Sequence, residues 1–265
     1  MKQPDMSGIS RTVGIDLGSK PKKTAVCQIE WRPDGGRILP AEDAKLTNKY
    51  LVKMISDSNV SHVGIDAPFG WPTEFVEAIS KYQESTTWHS PEQRTLRFRK
   101  TDLHVKAVTG RDPLSVTAGY LVYLAWRCAE IMSKVPDWDR SSRRGDGRLI
   151  EVYPVGSMHQ WGMDPKSWDD DPGSYKGKEP DRVRRRTTLV KRIQKEAQGR
   201  LDFDGQEQRF IDSDDELDAL IASLMARAVS QDLAEPIPSE LDEIVLKEGW
   251  IRLPKVDSTL EEACQ

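Results

Sequence analysis

Cysteine and histidine are scarce in this chain of 265 residues, which has three of the first and four of the second. Cys27, Cys128 and Cys264 are odd in number, far apart and free of any CxxC pair. Neither a disulfide framework nor a thiolate metal site fits that pattern, and a reducing cytoplasm is the expected compartment. His62, His89, His104 and His159 show no HxH or HExxH spacing, so a zinc hydrolase is not expected. Long apolar runs are missing as well. The longest, Ala118 to Trp126, is nine residues, against the roughly twenty that a membrane helix needs, so no membrane partner is expected. The start, MKQPDMSGISR, lacks the apolar stretch of a secretory signal. A Gly-x-x-x-x-Gly-Lys-Ser/Thr loop and a serine nucleophile elbow are both absent. No repeat or heptad period is present.

What is there is polar and strongly charged. Lys and Arg number 39 against 43 Asp and Glu, a formal charge of −4, and 37% of residues are hydrophobic. That is enough for a folded core, and the length suits one large domain, here taken as 1–265 with no linker. Thr12 to Gly18 reads as a buried strand, Lys23 to Trp31 as a second, and Gly36 to Leu39 as a third after a Pro-Asp-Gly-Gly turn. Apolar residues at helical spacing follow (Tyr50, Leu51, Met54, Ile55), then a strand from Val60 to Asp66. The segment 69–148 reads as an insertion with an Arg-rich middle and an apolar helix over about Pro113–Lys134. Leu149–Tyr153 reads as a strand, Asp181–Gln198 as a basic helix and Asp214–Gln231 as a helix. Ile244–Pro254 reads as a closing strand or hairpin. Hairpin-ordered strands followed by strands separated by helices predict an α/β sheet of mixed direction.

Two strands carry one signature, Val13-Gly-Ile-Asp16 and Val63-Gly-Ile-Asp66. An Asp closing a buried strand is costly unless its charge is offset. If the strands are parallel neighbours, both carboxylates emerge at the sheet end where α/β folds keep their sites, and hard divalent cations take oxygen ligands of this kind. Asp214-Asp215-Glu216-Leu217-Asp218 opens a helix whose stripe is Leu217, Leu220, Ile221 and Leu224. Ser213 with Glu216 spells a capping box. Asp215 and Asp218, three apart, share a face. Acids in a first helical turn commonly serve only its dipole, which accounts for Asp214 and Asp215 better than for Asp218. Glu151, between apolar neighbours on its strand, asks for a cation or a hydrogen-bond partner.

These residues carry a resemblance. Gly14-Ile-Asp16, Gly64-Ile-Asp66-Ala-Pro68, Arg99-Lys-Thr-Asp102, Glu151-Val-Tyr-Pro154, Tyr175-Lys-Gly177, Asp215-Glu-Leu-Asp218-Ala219 and Glu248-Gly-Trp-Ile-Arg-Leu-Pro254 occur in order along nearly the whole chain. In this the chain resembles the DUF429 family, predicted nucleases with a ribonuclease H-like fold. The resemblance implies a mixed five-stranded sheet flanked by helices, with 69–148 as a helical insertion after the fourth strand. Ribonuclease H-like nucleases carry an Asp on the first strand, an acid on the fourth and acids on a late helix, and Asp16, Asp66, and Asp215 with Asp218 stand in those places.

The expectation is therefore a metal-dependent nuclease hydrolysing phosphodiester bonds with two Mg²⁺ or Mn²⁺ ions. Asp16, Asp66, Asp215 and Asp218 are its expected ligands, with Glu151 assisting. Between Ser174 and Arg200 ten Lys/Arg face three acids. Lys176, Arg184, Arg185 and Arg186, together with Arg99, are the expected nucleic-acid contacts. Trp71, Trp88, Trp138, Trp161 and Trp168 lie in polar contexts where stacking on bases or packing against loops is open to them. Two rival classes compete. Gly14-Ile-Asp16-Leu-Gly18-Ser19 with Thr24 resembles the first phosphate loop of sugar kinases and actin-like ATPases, though the only paired glycines, Gly35-Gly36, lie early. A non-catalytic nucleic-acid-binding module is the other rival, and a cluster of phosphate-repelling acids argues against it.

Overall fold

The computed structural model describes residues 9–41, 43–88 and 91–265; His89 lies outside them. In chain order the elements are β1 (Ser10–Asp16), β2 (Ala25–Arg32), β3 (Gly35–Ile38), α1 (Asn48–Ile55), β4 (Val60–Asp66), α2 (Thr73–Ser85), α3 (Gln93–Arg97), α4 (Lys100–Thr109) and α5 (Leu121–Met132). They continue as β5 (Leu149–Val152), α6 (Pro154–Gln160), α7 (Pro180–Glu196), β6 (Leu201–Asp202), α8 (Glu207–Asp212), α9 (Asp214–Ser230), α10 (Asp242–Glu248), β7 (Ile251–Arg252) and α11 (Leu260–Ala263). The strands form one mixed sheet in the order β6-β3-β2-β1-β4-β5-β7. β2 runs antiparallel to β1 and β3, while β4 is parallel to β1, and β5 to β4.

The sheet thus has seven strands where five were expected. The two outermost, β6 and β7, are two residues each and too short to carry a period-2 signal in the sequence. Among the described residues, the segment between β4 and β5 holds four α-helices, α2 to α5. The predicted helix from Pro113 shrinks to Leu121–Met132, because Pro113 and Gly119 (φ +68°) sit in the preceding loop. The predicted closing hairpin is α10 followed by β7.

Alternation along the central strands divides the core. Val13, Ile15, Val63 and Ile65 face one side, where they pack with Leu51, Ile55, Cys128 and Ile131 of α1 and α5. Residues of the opposite parity, including Gly14, Asp16, Gly64 and Asp66, face α9. That helix packs across β1, β4 and β2. It is closely seated: a Cβ on Gly14 would lie 1.9 Å from the Ala219 carbonyl oxygen, and one on Gly64 would lie 2.1 Å from that of Ala222. Only glycine admits a helix backbone at this distance. Buried hydrogen bonds fasten the contact, with Thr12 Oγ1 2.8 Å from Ser223 Oγ and accepting from Trp31 Nε1 at 2.8 Å.

Candidate active site

The two Gly-Ile-Asp signatures are register partners. Gly14 pairs with Gly64, Ile15 with Ile65 and Asp16 with Asp66 across the parallel β1–β4 ladder. Both carboxylates therefore leave the sheet together at its carboxyl end, on the face that α9 covers. Asp218, 2% exposed, stands on α9 one residue before the helix backbone that touches Gly14. Asp215, a turn earlier, is exposed and stands near enough to Asp16 for each carboxyl group to act on the other. The four acids, two strands and one helix turn form the floor of a cleft of about 790 Å³.

Their charges are only partly offset. Burial first, then Asp66, Asp218 and Asp215, raise Asp16 well above the usual carboxylate range. Asp66 is pushed up to about 7 by burial, against a lowering contribution from Lys176. Burial and the neighbours Asp214 and Asp218 raise Asp215 too. A cation among them is Lys176, whose Nζ lies 2.6 Å from Asp218 Oδ2. Burial alone would lower its pKa, but Asp218 and Asp66 outweigh that and hold the ammonium charged. Tyr175 donates its hydroxyl to Asp218 Oδ1 at 2.6 Å. Asp218 is thus fully engaged, whereas Asp16 and Asp66 make no ion pair among the described residues.

Lys176 was expected on a phosphate-binding track; instead it reaches into the acidic floor. Arg186 places it there. Its guanidinium, 1% exposed, donates to the carbonyls of Tyr175 (2.6 Å), Gly177 (2.7 Å) and Ile211 (2.7 Å). Arg186, expected as a nucleic-acid contact, is a buried side chain that spends its Nε and Nη1 donors on these three carbonyls. Arg185 bonds Asp171 and Asp181, and Arg184, more exposed, pairs with Asp171. On α7, Arg182, Arg184 and Arg185 are thus paired with acids of the protein itself.

Glu151 has the cation that its apolar setting asks for, and that cation is Arg99. Arg99 is 2% exposed, bonds Asp102 through Nε (3.2 Å) and Nη2 (2.9 Å), and reaches Glu151 Oε2 from Nη1 (3.0 Å). It also donates to the Glu248 carbonyl at 3.1 Å. Glu151 Oε2 accepts from the Phe69 amide as well, and burial, opposed by Arg99, leaves its pKa raised. The Glu248 carboxylate caps two helices, accepting from Thr73 N and Lys100 N at 2.7 Å each. Three sequence motifs, Arg99–Asp102, Glu151–Pro154 and Glu248–Pro254, thereby converge in one brace that ties α2, α4, β5 and α10 beside the cleft. Arg99 is the internal counter-ion that a buried carboxylate pair requires, and with Asp102 and Glu151 it lines the wall of the cleft.

Other assignments resolve locally. Ser213 accepts from Glu216 N at 3.3 Å, but the Glu216 carboxylate turns to Arg209, so the capping box is half made. His104 lies 3.4 Å from Glu235 and stacks on Trp250. Trp168 is buried beneath Arg192, and Trp138 packs edge-on against Phe69.

No three His, Cys, Asp or Glu groups among the described residues already converge as a metal cage. The donor chemistry nevertheless fits a hard divalent ion: paired carboxylates in register, raised first by burial and then by neighbouring acids, with Asp16 and Asp66 in no ion pair among the described residues. No curated protein and no solved structure matches the chain. A family model described as a protein of unknown function matches residues 14–243, and over that span the chain belongs to the DUF429 family.

Proposed function

We propose that the protein is a metal-dependent nuclease that hydrolyses phosphodiester bonds, with a ribonuclease H-like arrangement of its acids. The observation that carries the reading is the register pairing of Asp16 with Asp66 beneath Asp218. Acids on the first strand, the fourth strand and a late helix stand where ribonuclease H-like nucleases carry theirs. Four carboxylates gathered at the end of a sheet repel one another and phosphate alike, and a divalent cation relieves both repulsions at once.

Asp16 and Asp66 would be the principal ligands for Mg²⁺ or Mn²⁺, with Asp215 joining from the mouth of the cleft. When bound, such ions polarise a phosphoryl oxygen and lower the pKa of the attacking water. The chain's own residues do the rest. Asp16, held by the β1–β4 ladder, fixes the distance between the ligands. Tyr175 and Lys176 orient Asp218, and the Lys176 ammonium stands ready to meet a non-bridging phosphate oxygen. The aliphatic wall of the cleft (Pro113, Leu121, Leu124) limits water around the reacting group.

The test is cleavage of labelled single- and double-stranded DNA, RNA, hybrid and four-way junction in Mn²⁺ or Mg²⁺, comparing the native protein with Asp16→Asn. Cleavage that disappears in the variant is the expected result. Cleavage surviving Asp16→Asn, or none on any substrate at any divalent concentration, contradicts the reading.

A further inference from the structure

One wall of the cleft is of the wrong chemistry for a phosphate. Leu114 is 73% exposed and Tyr120 87%, yet both line the same cavity as Asp16 and Asp66. They are not on a loose loop. Arg111 Nε bonds Asp164 Oδ2 at 2.5 Å, Ser115 Oγ donates to the Arg97 carbonyl at 2.8 Å, and Val116 is fully buried. These anchors hold Leu114 and Tyr120 outward. From Tyr120 an aromatic row continues along α5: Tyr123 and Trp126 are 52% and 57% exposed and meet edge to face at 5.5 Å. Large apolar side chains held in solvent next to a reactive floor mark a binding surface.

The same helix fixes a cationic partner beside that row. Arg127 donates through Nη1 to the Gly18 carbonyl and to Thr24 Oγ1, both at 2.6 Å, and through Nη2 to the Leu46 carbonyl at 2.9 Å. It thus ties α5 to the turn that carries Lys20, Lys22 and Lys23, all exposed, with Lys23 lining the cleft. Tyr120 and Lys23 line one cleft, and an aromatic face with an ammonium group in one groove matches the alternation of a nucleic-acid strand, base against ring and phosphate against cation. A duplex hides its base faces and could use only the lysines.

Resting on the nuclease reading for what happens at the acids, we propose that the cleft takes single-stranded nucleic acid. The scissile phosphate lies over Asp16 and Asp66, with the neighbouring unpaired bases on Tyr120, Tyr123 and Trp126 and the backbone beside Lys20, Lys22 and Lys23. The chemistry recognised, a π-face and a phosphodiester, is common to DNA and RNA.

The experiment is fluorescence anisotropy with short labelled oligonucleotides, as single-stranded DNA, single-stranded RNA and the corresponding duplexes, in Ca²⁺. It uses the native protein, Asp16→Asn, and the double variant Tyr120→Ala with Trp126→Ala. Single strands are expected to bind at least about tenfold more tightly than duplex, and the double variant to lose about tenfold or more. The substituted side chains are exposed, so an unchanged melting temperature verifies the fold. Replacing Lys22 and Lys23 with serine should flatten the salt dependence of binding. Equal affinity for duplex, native-like binding by the aromatic variant, or concentration-dependent self-association that buries the row and excludes oligonucleotide would each overturn the proposal. Binding and cleavage are separate readouts: single strands held by the aromatic row but never cut would sink the nuclease reading and leave this one standing.

Discussion

Lys176 Nζ stands 2.6 Å from Asp218 Oδ2, so a side chain already supplies positive charge to the acidic floor. The lysine side chain is 45% exposed and can leave. A divalent ion entering between Asp16 and Asp66 competes with it through their shared carboxylates. Lys176→Met is therefore expected to lower the melting temperature without metal and to bind Mn²⁺ about tenfold more tightly than the native protein. Calorimetric titration and the size of the Mn²⁺-induced thermal shift check this. Lys176→Arg, which keeps the charge, should leave the affinity near the native value. Unchanged Mn²⁺ affinity in the methionine variant would separate the lysine from the metal site.

The same crowding sets a pH dependence. Asp16 and Asp66 hold protons more tightly folded than unfolded, because burial and mutual repulsion disfavour their charged forms. The folded state binds the extra proton, so stability is fully present below about pH 4 and is lost as pH rises through about 7. The metal-free protein should melt several degrees lower at about pH 8 than at about pH 5, and Asp66→Asn should flatten that slope. Saturating Mn²⁺ should reverse it, since ionised carboxylates are then the bound form. Melting curves across pH, with and without metal, give the signs directly.

Gly14 and Gly64 make a structural prediction. Each lies two residues before its Asp and on the same sheet face, so the residue that admits α9 and the residue that meets it are set by one alternation. Gly64→Ala would place a Cβ 2.1 Å from the Ala222 carbonyl oxygen, and the obstacle is backbone, not a side chain that can rotate. A cost of at least about 3 kcal/mol is expected for either glycine-to-alanine change. The displaced helix should also weaken the Mn²⁺ thermal shift, because Asp218 moves with it. Denaturant unfolding measures the first effect, and a native-like midpoint would contradict the close seating.

These glycines explain why part of the site was legible in the sequence. Two copies of Gly-Ile-Asp encode register, core and ligand in three residues, and a strand's period of two fixes which side each faces. Asp218 could be read because helical spacing places it beyond the first-turn acids. Lys176 could not. Tyr175-Lys-Gly177 lies in no regular element, so nothing in its spacing says where the lysine points, and its direction comes from Arg186, ten residues on. The bracing role of Arg99 was hidden for a related reason. A charged run in sequence looks like a solvated face, whereas its partner Glu151 is 52 residues distant. The edge strand β6 escaped notice because two residues carry no period, and β7 is a two-residue part of the Ile244–Pro254 stretch read as a closing strand or hairpin.

Arg99 supplies the last prediction, one that separates bracing from binding. The guanidinium lies between Asp102 and Glu151, all three at most 2% exposed. Arg99→Met would leave two buried carboxylates without their cation, at a cost of about 3–5 kcal/mol. Adding Glu151→Met removes one of the stranded charges, so the double variant should recover part of that loss. A surface nucleic-acid contact would behave in the opposite way, with little change in stability and a shallower salt dependence of oligonucleotide binding. Denaturant midpoints for the single and double variants, set beside anisotropy at two salt concentrations, distinguish the two roles. A native-like midpoint with a reduced salt slope would restore Arg99 to the surface role that its charge alone suggests.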